Sequence, residues 1–598
     1  MSSSSTPAHE SQIHADYDLS TPLAADRNGL RQGLTSYGDS HFSLFLRKVF
    51  IKALGYSEDA LSRPIIGIVN TYSSFNPCHA NIPQLIDAVK RGVQLNGGLA
   101  IDFPTIKMIR AQPCDAVVLI GGCDKTTPAQ LMGGLSANKP ILHLVTGPMM
   151  PGSHKGTRIG ACTDCRNNWA SFRAGKIDIE DIKAINDELA PTAGTCGVMG
   201  TASTMACVLV GLGLMPFEGA SAAAVSSARL RIAEQTGANA VAAWKKIRPQ
   251  ELLTRESFLN AITVLQAIGG STNAVVHLMA IVGRHSDPDV RAAITLETVD
   301  RIGRSTPLLV DLKPSGENYM TDFHNSGGML ALLNELKPLL HLDARTISGL
   351  TLGEEIDKAQ PRLFRAPRSV SCIQPLYEPL YPASSLVVLK GNLAPGGAVM
   401  KASASKWKHL QKHTGSAIVF AGSADLAKRL DNPNLEVTPD SVLVLQNIGP
   451  VGNPGMPEAG MIPIPRKLAA KGVLDMLRIS DGRMSGTAGG SIILHVSPEA
   501  ADPRSILGIV EDGDLVTCDV EKRLLHVDLT DEEIERRLAQ RRNRLTEEEE
   551  HGEYLAEGVR SSWISRRNTR GYKGLYMRSV TQADKGADFD FLTASGPA

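Results

Sequence analysis

The chain has 598 residues, more than a single hydrophobic core organises, so two or more domains are expected. Its 62 Lys and Arg balance 62 Asp and Glu, leaving no net charge to draw it to nucleic acid or an anionic membrane, and no charge-free apolar run reaches the roughly 18 residues a membrane span needs. Nine cysteines scattered over this length are unlike the dense framework of a small secreted domain, which favours reduced thiols and a cytoplasmic protein.

Residues 1–30 carry no Lys or Arg before Arg27 and no apolar stretch, the wrong pattern for a mitochondrial presequence or a secretion signal. They read as a disordered polar tail. From about residue 60 to 300, apolar runs such as PIIGIVNTY, DAVVLIGGC and PILHLVTG alternate with helical segments such as IPQLIDAVKRGVQLN. That order predicts parallel strands covered by helices, an α/β domain over 31–383 whose ligands bind at the carboxyl ends of the strands. Beyond about 383 the strands become shorter and turn-punctuated (SLVVLKGNLAPGGAV, GSAIVFAG, SVLVLQNIGPVG, SIILHVSP, DLVTCDV, RLLHVDL), which predicts a separate β-rich domain over 384–598. The run TDEEIERRLAQRRNRLTEEEEHGEY reads as a solvated helix.

Within the first domain, LIGGCDKTTPAQLMGG ends an apolar run on two glycines and then sets a thiol, a carboxylate and an amine side by side at Cys123, Asp124 and Lys125. Alone, the tripeptide is most simply a buried cysteine beside a surface ion pair. Two further thiols occupy similar strand-to-helix transitions, Cys78 in NPCHANIP and Cys196 in TAGTCGVMG. Their wide separation excludes a compact zinc knuckle, but three cysteines on separate loops could hold an iron–sulfur cluster with one iron left open.

Taken in order, NPCHANIPQL, GGCDKTTPAQLMG, GACTDCRNNWA, GTCGVMGTASTMA, GGSTNAVVHL, GNLAPGGAV, GPVGNPGMPEAG and SDGRMSGTAGGS resemble the dihydroxy-acid and sugar-acid dehydratase (IlvD/Edd) family. The resemblance runs from about residue 30 to the end. It implies an N-terminal α/β/α domain with cluster-binding loops, a C-terminal β-barrel of the swivelling type, and homodimers or homotetramers. Carried over by position, it makes Cys78, Cys123 and Cys196 cluster ligands, and Asp124 and Glu458 magnesium ligands. Lys125 matches a carbamylated lysine that also serves the metal, and Ser485 matches a base acidified by the neighbouring metals. The implied reaction removes the C2 proton and C3 hydroxyl of a polyhydroxy acid, and the resulting enol becomes a 2-keto-3-deoxy acid.

The remaining motifs are more open. Cys162 and Cys165 have CxxC spacing but no second pair to complete a zinc site, so active-site lining, including Thr163, is favoured over redox chemistry. Ser271, Thr272 and His277 stand at a helix start, where substrate contact competes equally with N-capping plus a buried histidine, and His79 is expected to support a cluster ligand or serve the structure alone rather than bind iron itself. The wording of GTCGVMGTASTM and GACTDCRNNWA is nearer the sugar-acid branch than the branched-chain amino-acid branch, which implies an aldonic acid substrate and a [2Fe-2S] cluster in preference to [4Fe-4S]. One departure stands out. After AIDFPTI the family continues with a segment bearing a metal-binding glutamate, whereas here Lys107 leads straight into MIRAQPCDAVVLIGGC, a loss of roughly two dozen residues. A broken gene model, a chain of low activity and a non-catalytic cluster protein are the three readings this gap allows.

Overall fold

The computed structural model describes residues 19–20, 23, 29–32, 34, 39–104, 108–161, 163–243, 247–364, 366–367, 369–551 and 570–594. Most of the expected polar tail, the Lys107 junction and Cys162 lie outside them. Gly29–Arg31 forms a short 3-10 turn with Leu30 fully buried, and the Gly29 amide donates to the Asp115 carboxylate. The packed N-terminal domain therefore includes residues from Gly29 on.

Four parallel strands form the N-terminal sheet in the order β2 (Leu99–Phe103), β1 (Ile65–Asn70), β3 (Ala116–Gly121), β4 (Ile141–Val145). Every residue of β1, β3 and β4 is buried, as expected when helices cover both faces of a parallel sheet. Helix α1 (Ile82–Leu95) follows β1, and α2 (Thr126–Ala137) follows β3. Strand alternation stops at Val145, earlier than the sequence pattern predicts. After a small hairpin of β5 (Gly152–His154) and β6 (Thr157–Ile159), the rest of the domain is helical. It includes α3 (Thr163–Arg173), α4 (Thr201–Gly211), α5 (Ser227–Ala243), α6 (Arg255–Ala267) and α7 (Thr272–Gly283). All of α4 and nearly all of α6 and α7 are buried, and their apolar runs lack the alternation that would mark a strand.

The C-terminal domain is a closed eight-stranded barrel in the order β10-β11-β12-β8-β7-β14-β13-β9. In chain order the strands are β7 (Val387–Gly391), β8 (Ala394–Met400), β9 (Lys412–Phe420), β10 (Val442–Leu445), β11 (Arg478–Ser480), β12 (Ile492–Ser497), β13 (Leu515–Asp519) and β14 (Leu524–Val527). Closure removes the unpaired edges that an open sheet of this size would expose. The Arg- and Glu-rich run forms α8 (Asp531–His551), one face of which is tied down through Arg537 to Asp514. Helix α9 (Gly571–Ser579) returns the chain to the domain interface, where Asp588 forms a two-pronged pair with Arg284 just after α7. None of the described helices is long and apolar enough to cross a membrane.

Helices α1 and α5 cross at Gly92 and Gly237, where a methyl group at Gly92 would overlap the Glu234 carbonyl oxygen and one at Gly237 would overlap that of Val89. This contact fixes α1, and with it the Cys78 loop that precedes α1. Gly92→Ala should lower unfolding free energy by about 2 kcal/mol, measured by urea denaturation. An unchanged urea midpoint would show that the crossing has slack the packing does not suggest.

Candidate active site

The strand ends bring the cysteine loops together. Cys78 lies in a 3-10 turn (Pro77–His79) whose N-cap, Asn76, accepts the Cys78 amide at 2.9 Å. Cys123 follows the two glycines that end β3. Neither glycine has positive φ, so the pair serves close approach and not a left-handed turn. A side chain at Gly121 would run into Gln130, and one at Gly122 would overlap Thr146 and crowd the Cys78 carbonyl oxygen. Cys196 sits on a segment whose Thr195 pairs with Gly147 and Met149 beyond β4, and the Gly194 amide donates to the Pro77 carbonyl oxygen at 3.0 Å. The three loops are thus laid side by side.

The thiols of Cys78 and Cys123 are hydrogen-bonded to one another, and this contact holds the Cys123 thiol below its ordinary pKa against the opposing effect of burial. Cys123 Sγ also donates to Asp124 Oδ1 at 3.3 Å. His79, 4% exposed, accepts the Cys123 amide on Nε2 at 3.2 Å. Burial lowers its pKa, and the accepting Nε2 fixes the neutral form with the ring proton on Nδ1. His79 therefore holds the Cys123 backbone in place.

A cluster of charges spans the two domains beside these thiols. Arg483, on the loop between β11 and β12, places Nη2 2.6 Å from Asp124 Oδ2 and 3.4 Å from Glu458 Oε1. The Gly460 amide donates to the Arg483 carbonyl oxygen, which ties the GMPEAG loop to the GRMSG loop and brings Glu458 to Asp124. The two carboxyls share a hydrogen bond. Burial and the adjacent Asp124 push Glu458 up to about 7, while Asp124, despite its burial, is held below the usual range by Arg483 and by the bond from Glu458. The pair therefore behaves as two acids sharing one proton. Lys125 stands at the start of α2 beside them, exposed and without an ion-pair partner among the described residues.

Ser485 lies two residues beyond Arg483, in a loop clamped by the N-terminal domain. Asn273 Nδ2 donates to the Met484 carbonyl oxygen at 2.8 Å, Thr163 Oγ1 to that of Thr487 at 2.7 Å, and Arg166 Nη1 to Thr487 Oγ1 at 2.8 Å. Ser485 and Thr487 share a hydroxyl bond of 2.8 Å, and a methyl group at Gly486 would overlap Ser271 Oγ. Ser271 is the N-cap of α7, accepting the Asn273 amide, and is bonded to Thr201 at 2.8 Å. Thr272 lines a small cavity with Ser485. Thr163 and Ser271 thus have demonstrable structural work, in holding the Ser485 loop and starting α7. Cys165 is exposed on α3.

A larger cavity of about 170 Å³ opens between Lys125, Asn273, His277, Arg483, His495 and Tyr576. His277 Nε2, both ring nitrogens of His495 and Arg483 Nε are buried there without a hydrogen-bond partner among the described residues. Burial, reinforced by Arg483, takes both imidazoles down to about 3, so they are neutral and able to donate and accept. Sequence reasoning passed over Arg483, Asn273, Arg166 and His495. Arg483 and Arg166 lie inside recognised motifs, and a histidine in the middle of the apolar strand SIILHVSP was the available signal for His495.

Among the described residues no three His, Cys, Asp or Glu side chains close into a finished metal-ligand group. The donor chemistry nevertheless fits: facing thiols suit iron, and paired acids suit a hard cation whose charge Arg483 partly supplies.

A two-domain α/β enzyme with its site between sheet ends and a barrel loop is the class these features define. The dihydroxy-acid/6-phosphogluconate dehydratase family matches in its N-terminal part over residues 63–109 and 107–355 and in its C-terminal part over 371–587, and the chain belongs to it. The break in the N-terminal match falls at Lys107, where the motif register is interrupted. The chain is 37% identical to an L-arabinonate dehydratase of Rhizobium leguminosarum bv. trifolii, covering 93% of this chain and 95% of that one. It is 39% identical to an L-arabonate dehydratase of Azospirillum brasilense (94% and 96%) and 34% identical to a dihydroxy-acid dehydratase of Caldicellulosiruptor bescii (82% and 92%). As a member of this family the protein is a dehydratase, a hydro-lyase.

Proposed function

We propose that the chain dehydrates an aldonic acid to a 2-keto-3-deoxy acid. The observation that carries this reading is the set of unpartnered polar atoms, His277 Nε2, the His495 ring nitrogens and Arg483 Nε, around the cavity beside the acid pair. Such atoms are costly when buried alone and are satisfied by a ligand rich in hydroxyls. The high identity to arabinonate dehydratases over nearly the whole chain supports the same choice.

In this reading Cys78, Cys123 and Cys196 hold a [2Fe-2S] cluster, while Asp124, Glu458 and carbamylated Lys125 hold magnesium. When bound, these groups supply Lewis acidity toward the C3 hydroxyl and the substrate carboxylate. The chain's own residues do the rest. Arg483 keeps both carboxyls in place, His277 and His495 orient hydroxyls, and Ser485 takes the C2 proton. Thr487, itself receiving a bond from Arg166, shares a hydroxyl bond with Ser485, and in donating to Oγ it would favour the deprotonated serine. We place the protein in the cytoplasm as a homodimer or homotetramer. Among the described residues Cys114, Cys207, Cys372 and Cys518 are buried free thiols, and Phe42, Phe45 and Phe50 leave an apolar surface on the helix Ser40–Lys52 that a second copy would cover.

Freshly isolated protein should be brown, and Cys123→Ser should remove the colour and the anaerobic EPR signal, while Cys162→Ser should retain both. A full iron and sulfide complement in Cys123→Ser would contradict the ligand assignment.

Offered L-arabinonate, xylonate, galactonate, gluconate and 2,3-dihydroxyisovalerate, the chain should form semicarbazide-reactive keto acids from aldonates, and Ser485→Ala should lose at least about 100-fold in kcat with its cluster spectrum intact. Preference for dihydroxyisovalerate would move the assignment to branched-chain amino-acid synthesis. Turnover only after a glutamate-bearing segment is restored at Lys107 would make the chain as it stands an inactive form.

A further inference from the structure

Lys401 directly follows β8 and is 7% exposed. Its Nζ reaches one acceptor among the described residues, the Gly486 carbonyl oxygen, at a long 3.4 Å, and no carboxylate pairs with it. It lines a cavity of about 20 Å³ together with Ser485, Thr272, Met484 and Leu494. That volume admits a single water. The elements around the cavity are the start of α7, the 484–490 loop, β12 and the turn at Ala404, and none of them presents an ionisable side chain to Lys401. The charged groups nearby are committed elsewhere, Arg483 to Asp124 and Glu458 and Arg478 to Asp475, while His277 and His495 face the larger cavity.

A buried ammonium with one long bond and no counter-ion is disfavoured, so the amine sits ready for a proton. Burial alone brings its pKa down to about 7. On the other side of the same cavity, Ser485 Oγ is bonded to Thr487 Oγ1, which receives a bond from Arg166. With Thr487 as the donor of that pair, the Ser485 proton points into the cavity.

We propose that Lys401 is the positioning residue that readies Ser485, accepting the serine proton across one water and then standing as an ammonium beside the alkoxide. The Ser485 O–H bond breaks with its electron pair kept on Oγ. Its proton passes to the water while a proton of that water passes to Nζ, so no net charge enters or leaves the cavity. The alkoxide takes the C2 proton of the substrate, and transfer of that proton to the departing C3 hydroxide, forming water, restores it. The inference rests on the reading of Ser485 as the base.

The test uses the full chain. Competitive acetylation with acetic anhydride, read by mass spectrometry of the Lys401 peptide across pH, should give a midpoint near neutrality. In Ser485→Asp, where a carboxylate stands in for the alkoxide, the midpoint should rise by about one pH unit or more. A midpoint unmoved by Ser485→Asp would overturn the proposal without any recourse to turnover. Lys401→Met should raise Tm at and below neutral pH, with the gain fading toward pH 10. The sign follows because a lysine whose folded pKa is depressed destabilises the fold fully below that pKa and ceases to do so as pH rises past its unfolded value. A Tm lowered at every pH would show a structural lysine and count against the proposal.

With L-arabinonate, Lys401→Met should lose about 100-fold or more in kcat with KM within about threefold, and its kcat should keep rising with pH where wild type levels off. Lys401→Arg, charged but unable to accept a proton, should not restore the rate. Wild-type-like kcat in either variant would overturn the proposal. Absence of turnover in the wild type on every acid would instead overturn the dehydratase reading, while the acetylation midpoints still decide whether Lys401 and Ser485 are coupled.

Discussion

The Arg483 guanidinium, held by Asp124 from the sheet domain and Glu458 from the barrel, is the contact on which the rest of the site depends. Two carboxyls set side by side repel at neutral pH unless a proton or a cation lies between them. Arg483 supplies the positive charge, and because it belongs to the barrel while Asp124 belongs to the sheet domain, it also fixes the two domains relative to each other. The Arg483 side chain is 6% exposed, so removing its carboxylate partners would leave a buried charge uncompensated, which costs far more than the intact pair contributes.

Around that contact the molecule uses small residues to bring distant chain segments into reach. Gly122 lets the end of β3 pass Thr146 and the Cys78 loop, Gly200 makes room for Thr487, and Gly486 fits against Ser271. The side chains of Thr163, Arg166 and Asn273 then bind the 484–487 loop through its backbone and through Thr487. A serine held in this way, with a threonine hydroxyl on one side and a water-sized cavity on the other, is positioned before substrate arrives, and such preorganisation lets fixed dipoles stabilise developing charge.

The order of domains, the parallel sheet and the β-rich second domain were legible in the sequence because β1, β3 and β4 are continuous apolar runs ended by Gly, Asn or Pro. Strand β2 was missed because LAIDF follows a helix without a β-branched run of its own, and β11 because three residues are too short to show alternation. The helices α4, α6 and α7 hide their period by being buried on all sides. In the site, motif order pointed to the residues that carry reactive groups. Asn273 and Arg166 were not legible, since their importance lies in contacts across more than a hundred residues of chain that no local pattern encodes, and for His495 the one local signal was a histidine set in an apolar strand.

The central claim is that a chain residue removes the C2 proton of a polyhydroxy acid while the C3 hydroxyl departs. The most direct measurement incubates the protein with L-arabinonate deuterated at C2 and follows both the keto acid and the label by NMR. Formation of the 2-keto-3-deoxy acid with the deuterium released to water is the predicted result. Deuterium found at C3 of the product would mean that the hydrogen taken from C2 is returned to the substrate and not handed to the departing hydroxide, and that outcome would contradict the proton route drawn through Ser485.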